Sequence, residues 1–203
     1  MKKKITMVVS LLLVMALSIG GTVAWLTDET DAITNTFTLG NVDITLTETW
    51  NTDTDGKKVN DAWSAKFVPG KEMAKDPKVT VVEGSEACYI YVKVEEKINF
   101  DDGKTGEFAE YFDYDIKSDW TRLAEETDDV VYYMEVDAET AAAGKVFYVL
   151  AGSETNANGC VTVPGDVTKT MIDDLNGNPT LTITAYAIQS EGTGSAYEAW
   201  QKF

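Results

Sequence analysis

The sequence predicts an all-β sandwich with one or two short helices, preceded by a signal-peptide helix. Three observations lead there. From Ile33 onward the chain reads mainly as short runs rich in Val, Ile, Thr and Tyr with period-two alternation. Gly, Pro, Asn and Asp punctuate those runs at turn positions. Few stretches carry apolar residues at helical spacing, and many short strands separated by such turns bury their apolar faces by packing sheet on sheet.

In order, Lys2-Lys3-Lys4 and the run Ile5 to Ile19 form a positive n-region and an apolar h-region. Thr22 and Ala24 supply the small side chains of a cleavage site ahead of Trp25. The alternative is an uncleaved anchor, because the uncharged stretch reaches Leu26 and approaches the ~20 apolar residues that span a bilayer. Gly20-Gly21-Thr22 weakens a helix there, since Gly costs about 1 kcal/mol relative to Ala. The expected division is therefore a signal peptide over 1–24 and one sandwich domain over 25–203. About 180 residues remain after cleavage, enough for a substantial core.

Ile33, Phe37 and Leu39 alternate with threonines, and after Gly40-Asn41 the apolar parity passes to Val42, Ile44 and Leu46. A Gly at a parity change marks a bulge or corner. Asn51, Asp53 and Asp55 before Gly56 resemble the opening of a calcium loop, but position twelve is Ala62 rather than Glu, with Asp61 one residue early. An acidic hairpin turn is the competing account. The run Asp173-Asp174-Leu175-Asn176-Gly177-Asn178 carries a weaker version of the same signal.

Val68-Pro69-Gly70-Lys71 is a type II turn, with Pro fixing φ and Gly supplying a positive one. Strands follow at Lys78–Glu83 and Glu86–Glu95. In the second, Cys88, Ile90, Val92 and Val94 face one way, and Tyr89, Tyr91 and Lys93 the other. The tyrosines cover an edge or a second apolar layer, with a carbohydrate patch as the functional alternative. Further strands are expected at 112–116, 120–123, 130–136, 146–150 (buried), 161–163 and 180–189. Ala138–Ala143 reads as a short helix or loop closed by Gly144. Val167–Leu175 reads as a helix capped by Asp166, and Ser195–Lys202 as a terminal helix packing Trp200 on the sandwich.

The formal charge is −17, with 34 acidic residues against 17 basic ones. Losing the three N-terminal lysines takes it to about −20, which repels nucleic acid and anionic lipid. Contact with membrane is expected only through the signal peptide before cleavage. Cys88 and Cys160 can form a disulfide in an exported protein, closing a loop of about 70 residues worth roughly 4 kcal/mol; the alternative is two separately buried thiols. Histidine is absent from the whole chain. That removes Ser-His and Cys-His nucleophile pairs, the helical zinc motif of metalloproteases and the usual neutral-pH base. No phosphate loop is present, and acids are too numerous for any pair to point to glycoside hydrolysis. The expectation is no enzyme and no cofactor, with calcium as the one candidate.

Gly20-Gly21-Thr22-Val23-Ala24-Trp25-Leu26-Thr27-Asp28, followed by Phe37-Thr38-Leu39-Gly40-Asn41-Val42-Asp43-Ile44, resembles the start of the TasA/camelysin family of Gram-positive bacteria. Val68-Pro69-Gly70, Tyr89 to Val94, Thr184 to Gln189 and Ala199-Trp200 are similar to later pieces of such proteins. The resemblance implies a jelly-roll sandwich, a so-called SipW-dependent signal peptide cut by a specialised signal peptidase, and a place in biofilm-matrix fibres. It also implies that the segment freed at Trp25 can be donated as a strand to a neighbouring subunit or another matrix protein; the alternative keeps it within its own domain as an ordinary first strand. Trp25 and Leu26 would be its apolar plugs, with Ile33 and Phe37 in the strand that follows. Camelysin is described as a surface metallopeptidase, and that activity is not carried over to a chain without histidine. The expectation is thus a secreted or cell-surface structural subunit. A monomeric binding module for carbohydrate or protein and a camelysin-like metallopeptidase are the alternatives.

Overall fold

Glu86 opens the segment on which the fold is built, and its alternation holds residue by residue. Strand β4 (Cys88–Lys97) buries Cys88, Ile90, Val92 and Val94 on one face. It lies between β6 (Val130–Val136) and β9 (Thr180–Gln189) in a four-stranded antiparallel sheet of order β5-β6-β4-β9, with β5 only Thr121–Arg122. The structure, a computed structural model, describes residues 41–48 and 67–203. The expected signal-peptide helix, the strand from Ile33 and the acidic turn after Trp50 lie outside them. The compact unit that holds the described residues runs from Leu39 to Phe203.

A second antiparallel sheet joins β1 (Ile44–Thr47), β3 (Lys78–Val81) and β7 (Lys145–Tyr148), with Ile44 opposite Val81 and Val79 opposite Phe147. A two-stranded ribbon pairs β2 (Glu72–Ala74) with β8 (Cys160–Thr162). Val79 and Val81 of β3, Ile90 and Val92 of β4, and Met73 and Val161 of the ribbon form one buried cluster. The chain is therefore all-β, and the inward faces of its sheets share a core as a sandwich requires. Among the described residues no helix is long and apolar enough to cross a membrane.

The helices are short and capped as their sequences dictate. Helix α1 (Ala138–Ala143) starts at Asp137, whose carboxylate accepts from Thr140 N at 2.8 Å, and stops at Gly144 with φ 74°. Helix α2 (Lys169–Asp173) is shorter than expected and begins at Thr168, not Asp166. Asp166 is taken up by the turn after Pro164, where Val167 N donates to Pro164 O, and Thr168 Oγ1 caps Met171 N instead. Helix α3 (Ala196–Trp200) opens with a reciprocal capping box between Ser195 and Glu198.

Two strand expectations are corrected. Residues 112–116 form no ladder: a 3-10 turn at Phe108–Glu110 precedes two isolated bridges, Asp113 to Thr162 and Ile116 to Leu150. The segment crosses from β8 to the continuation of β7, so its hydrogen bonds are divided between two partners. The expected buried strand at 146–150 is an edge strand, with Val146 44% exposed; only Val149 and Leu150, beyond its end, are buried.

The outer face of the four-stranded sheet carries a second apolar layer of Tyr91, Leu123, Val131, Ala196, Ala199 and Trp200. The chain's one arginine anchors the neighbouring turn: Arg122 donates to the carbonyls of Leu123, Val131 and Asp129 at 2.9–3.1 Å. That turn presents Glu126, which accepts from the backbone N–H of Asp128 and Asp129 and from Trp200 Nε1 at 2.8 Å. The Asp128 N–H first, and the Trp200 indole second, hold the Glu126 carboxyl below the ordinary range. A depressed carboxylate contributes stability that is complete above its unfolded value, about pH 4.3, and is lost as pH falls through the lower folded value. Glu126→Gln should therefore flatten the acid limb of the stability profile. Urea midpoints of both proteins measured from neutral pH downward check this, and parallel profiles would disprove it.

Candidate functional site

Strand β9 pairs with β4 along one edge, and among the described residues its other edge carries no ladder. Among the described residues strand β1 likewise pairs only with β3. Between these two edges lies a groove of about 650 Å³. Leu46, Thr47 and Glu48 form one wall, and Asn178 to Ile183 the other. Met73, Val161, Phe108 and Phe112 supply apolar lining. Phe108 and Phe112 stack at 5.0 Å, and Phe67 meets Phe112 edge-on at 5.1 Å, which fixes that lining as a rigid surface.

Among the polar groups lining the groove are Lys75 and Glu48. The buried Lys75 ammonium lies 3.2 Å from Glu48 Oε1 and 3.3 Å from Oε2. The pair ties the end of β1 to the ribbon, and nothing in the local sequence signals it. An apolar trough between unpaired strand edges suits an extended peptide, whose main chain bonds the edge while alternate side chains fill the trough.

The residues singled out from sequence distribute unevenly. Thr22, Ala24, Trp25, Leu26, Ile33 and Phe37, and the calcium candidates Asn51, Asp53, Asp55 and Asp61, lie outside the described residues. In the weaker calcium stretch the carboxylates turn to lysines, Asp173 to Lys169 and Asp174 to Lys104. Among the described residues no three His, Cys, Asp or Glu side chains are grouped to hold a metal ion. Tyr91 is fully buried with its hydroxyl donating to Ala196 O at 2.8 Å, and Tyr89 donates to Gly194 O at 3.3 Å. Both hydroxyls are thus committed to the segment around α3, which weakens the sugar-patch alternative.

Cys88 and Cys160 are both free thiols. Burial pushes the Cys88 thiol up to about 11, and burial followed by the charge of Glu72 raises Cys160. The half-exposed Cys160 should therefore be alkylated by iodoacetamide in the native protein before Cys88, which reacts only on unfolding. Peptide mass mapping distinguishes them; failure of both to react even in urea would mean a disulfide instead. Beside Cys160, Glu72 accepts from Ser153 Oγ at 2.5 Å and from Asn156 Nδ2, and these bonds lower its pKa. A carboxylate so stabilised is a poor base for Ser153, and the cluster reads as a loop clamp.

A protein-family model described as camelysin metallo-endopeptidase matches residues 1–147. No curated protein and no solved structure matches the chain. The description implies a metal, and the donors here do not fit a peptidase zinc site: the chain has no histidine, and its thiols stand on separate sheets. Residues 148–203, which lie beyond the matched part, include β9 and so one wall of the groove.

Proposed function

The chain belongs to the camelysin family, and from that premise we propose that it is an exported, non-enzymatic subunit of the cell surface or biofilm matrix. In this reading it is a jelly-roll sandwich that assembles by strand donation. Cleavage after Ala24 frees Trp25, and the segment Trp25–Phe37 of one copy lies in the β1/β9 groove of the next. The observation that carries this is the second edge of the 10-residue β9 strand, which carries no ladder among the described residues and flanks an apolar trough. Trp25, Leu26, Ile33 and Phe37 supply the side chains such a trough takes.

The energetics require both parts of the contact. Four buried side chains contribute about 1.5–3 kcal/mol each. That only matches the roughly 4–15 kcal/mol cost of association, so main-chain bonds to the sheet edge must add the surplus. A donor at one end and an acceptor elsewhere make a contact that does not close on itself, and it propagates as a filament. Lowering the pH relieves the self-repulsion of so acidic a chain and favours growth.

Deleting Trp25–Phe37 should abolish filaments while leaving a folded domain. Electron microscopy of concentrated, mildly acidic samples checks the first outcome and circular dichroism the second. Filaments from the truncated protein would end the strand-donation reading. The family description favours one competing function, a surface metallopeptidase. Casein cleavage lost with zinc and restored by its return would establish that function, and cleavage absent throughout would remove it.

A further inference from the structure

The turn that leads into β9 contains Asn176-Gly177, and the loop before β8 contains Asn158-Gly159. The two sequences are alike and their surroundings are opposite. Asn176 and Gly177 are both exposed. Gly177 has φ 92°, no atom within 4 Å of where a Cβ would stand, and an N–H that donates to no carbonyl among the described residues. Asn158 is also exposed, but Gly159 is buried and its N–H donates to Asn156 O at 3.2 Å. Its carbonyl accepts from Lys75 N at 3.1 Å, and a Cβ there would meet Lys75 O at 2.3 Å, so the backbone is enclosed.

From this contrast we infer that Asn176 is a site of spontaneous deamidation and isoaspartate formation, and that the fold protects Asn158. The Gly177 amide nitrogen, losing its proton to solvent, attacks Cγ of Asn176. The Cγ–Nδ2 bond breaks, Nδ2 leaves as ammonia with a proton from water, and a cyclic imide remains. Water then adds at either imide carbonyl, giving Asp or isoaspartate at position 176. Glycine favours the attack because no side chain crowds its nitrogen. Asn178 cannot react in this way, because Pro179 has no N–H. Asn156 and Asn99 are followed by residues with side chains, Ala157 and Phe100.

The consequence is local and directional. Asn176 N donates to Asn99 O at 2.9 Å, and Asn178, Pro179 and Thr180 immediately after it line the groove. Conversion adds a negative charge beside Asp173 and Asp174. In the isoaspartate product it also inserts an extra backbone carbon just before the rim.

The chemistry can be read without reference to assembly, so strand donation can fail while this inference stands. Trypsin places the two Asn–Gly pairs on separate peptides, 146–169 and 170–202. The folded protein is held at mildly alkaline pH and sampled over time by mass mapping that separates Asp from isoaspartate. Asn176 should convert faster than Asn158 by about fivefold or more, the factor a single backbone hydrogen bond supplies. In urea the two rates should converge. Asn176→Gln should remove conversion from its peptide without altering the circular dichroism. Equal rates in the folded protein, or an Asn176 that stays intact there while converting in urea, would overturn the inference.

Discussion

Replacing Trp200 with alanine should lower the unfolding free energy by about 3–5 kcal/mol, the range for deleting a large buried aromatic. The indole is 9% exposed and lies 5.3 Å from the Tyr91 ring and 5.2 Å from that of Tyr186, edge-on to the latter. Its Nε1–H donates to the Glu126 carboxylate at 2.8 Å. Removing it opens the second apolar layer at its centre, where Tyr91, Leu123 and Ala199 are nearly inaccessible. Helix α3 has only five residues and cannot persist without that packing. Trp200→Phe keeps most of the ring contact and loses the hydrogen bond, so it should cost about 1–2 kcal/mol. Urea unfolding of the three proteins gives the comparison. A Trp200→Ala cost below about 1 kcal/mol would mean that α3 frays independently of the sheet.

The parts of the fold legible in the sequence are those whose signal is local. The alternation from Cys88 to Val94 buries four side chains on one face, three of them (Cys88, Ile90 and Val92) inside one core, and sets Tyr89 and Tyr91 against the other. Gly144 closes α1 with the positive φ expected of it, and the structure adds the Asp137 carboxylate as the cap at the other end. Elsewhere tertiary partners decide. Phe112, Tyr114 and Ile116 alternate as a strand should, yet Asp113 and Ile116 bond different strands and no ladder forms. Val146 is β-branched and apolar but stands on an edge, where composition does not reveal exposure. The groove was illegible for the same reason. Its walls come from residues near 46 and 181, and the Lys75–Glu48 pair that ties β1 to the ribbon spans 27 positions. The resemblance at the N-terminus pointed to a donated strand; only the sheet order identifies the edges that could receive one.

That acceptor is tested most sharply at Leu46, because the residue lines the groove and is still 39% exposed. Leu46→Asp should change the stability of the isolated subunit by about 1 kcal/mol or less, as for other partly exposed positions. Seating an apolar strand over the new carboxylate would leave a buried charge without a partner, at about 3–5 kcal/mol. That weakens the contact by at least a hundredfold, since each 1.4 kcal/mol is about tenfold. Filaments should disappear while the urea midpoint scarcely moves. The variant keeps its own Trp25–Phe37 and can still donate. A subunit lacking Trp25–Phe37 keeps its groove and can still accept. Neither should polymerise alone, and an equal mixture should stop at dimers, one donor seated in one acceptor, because each partner lacks the half needed to continue. Sedimentation of the mixture reads this directly. Long filaments from Leu46→Asp would move the acceptor away from the β1/β9 groove. Monomers in the mixture, with filaments from the unaltered protein, would show that the deleted segment and the groove are not the two halves of one contact.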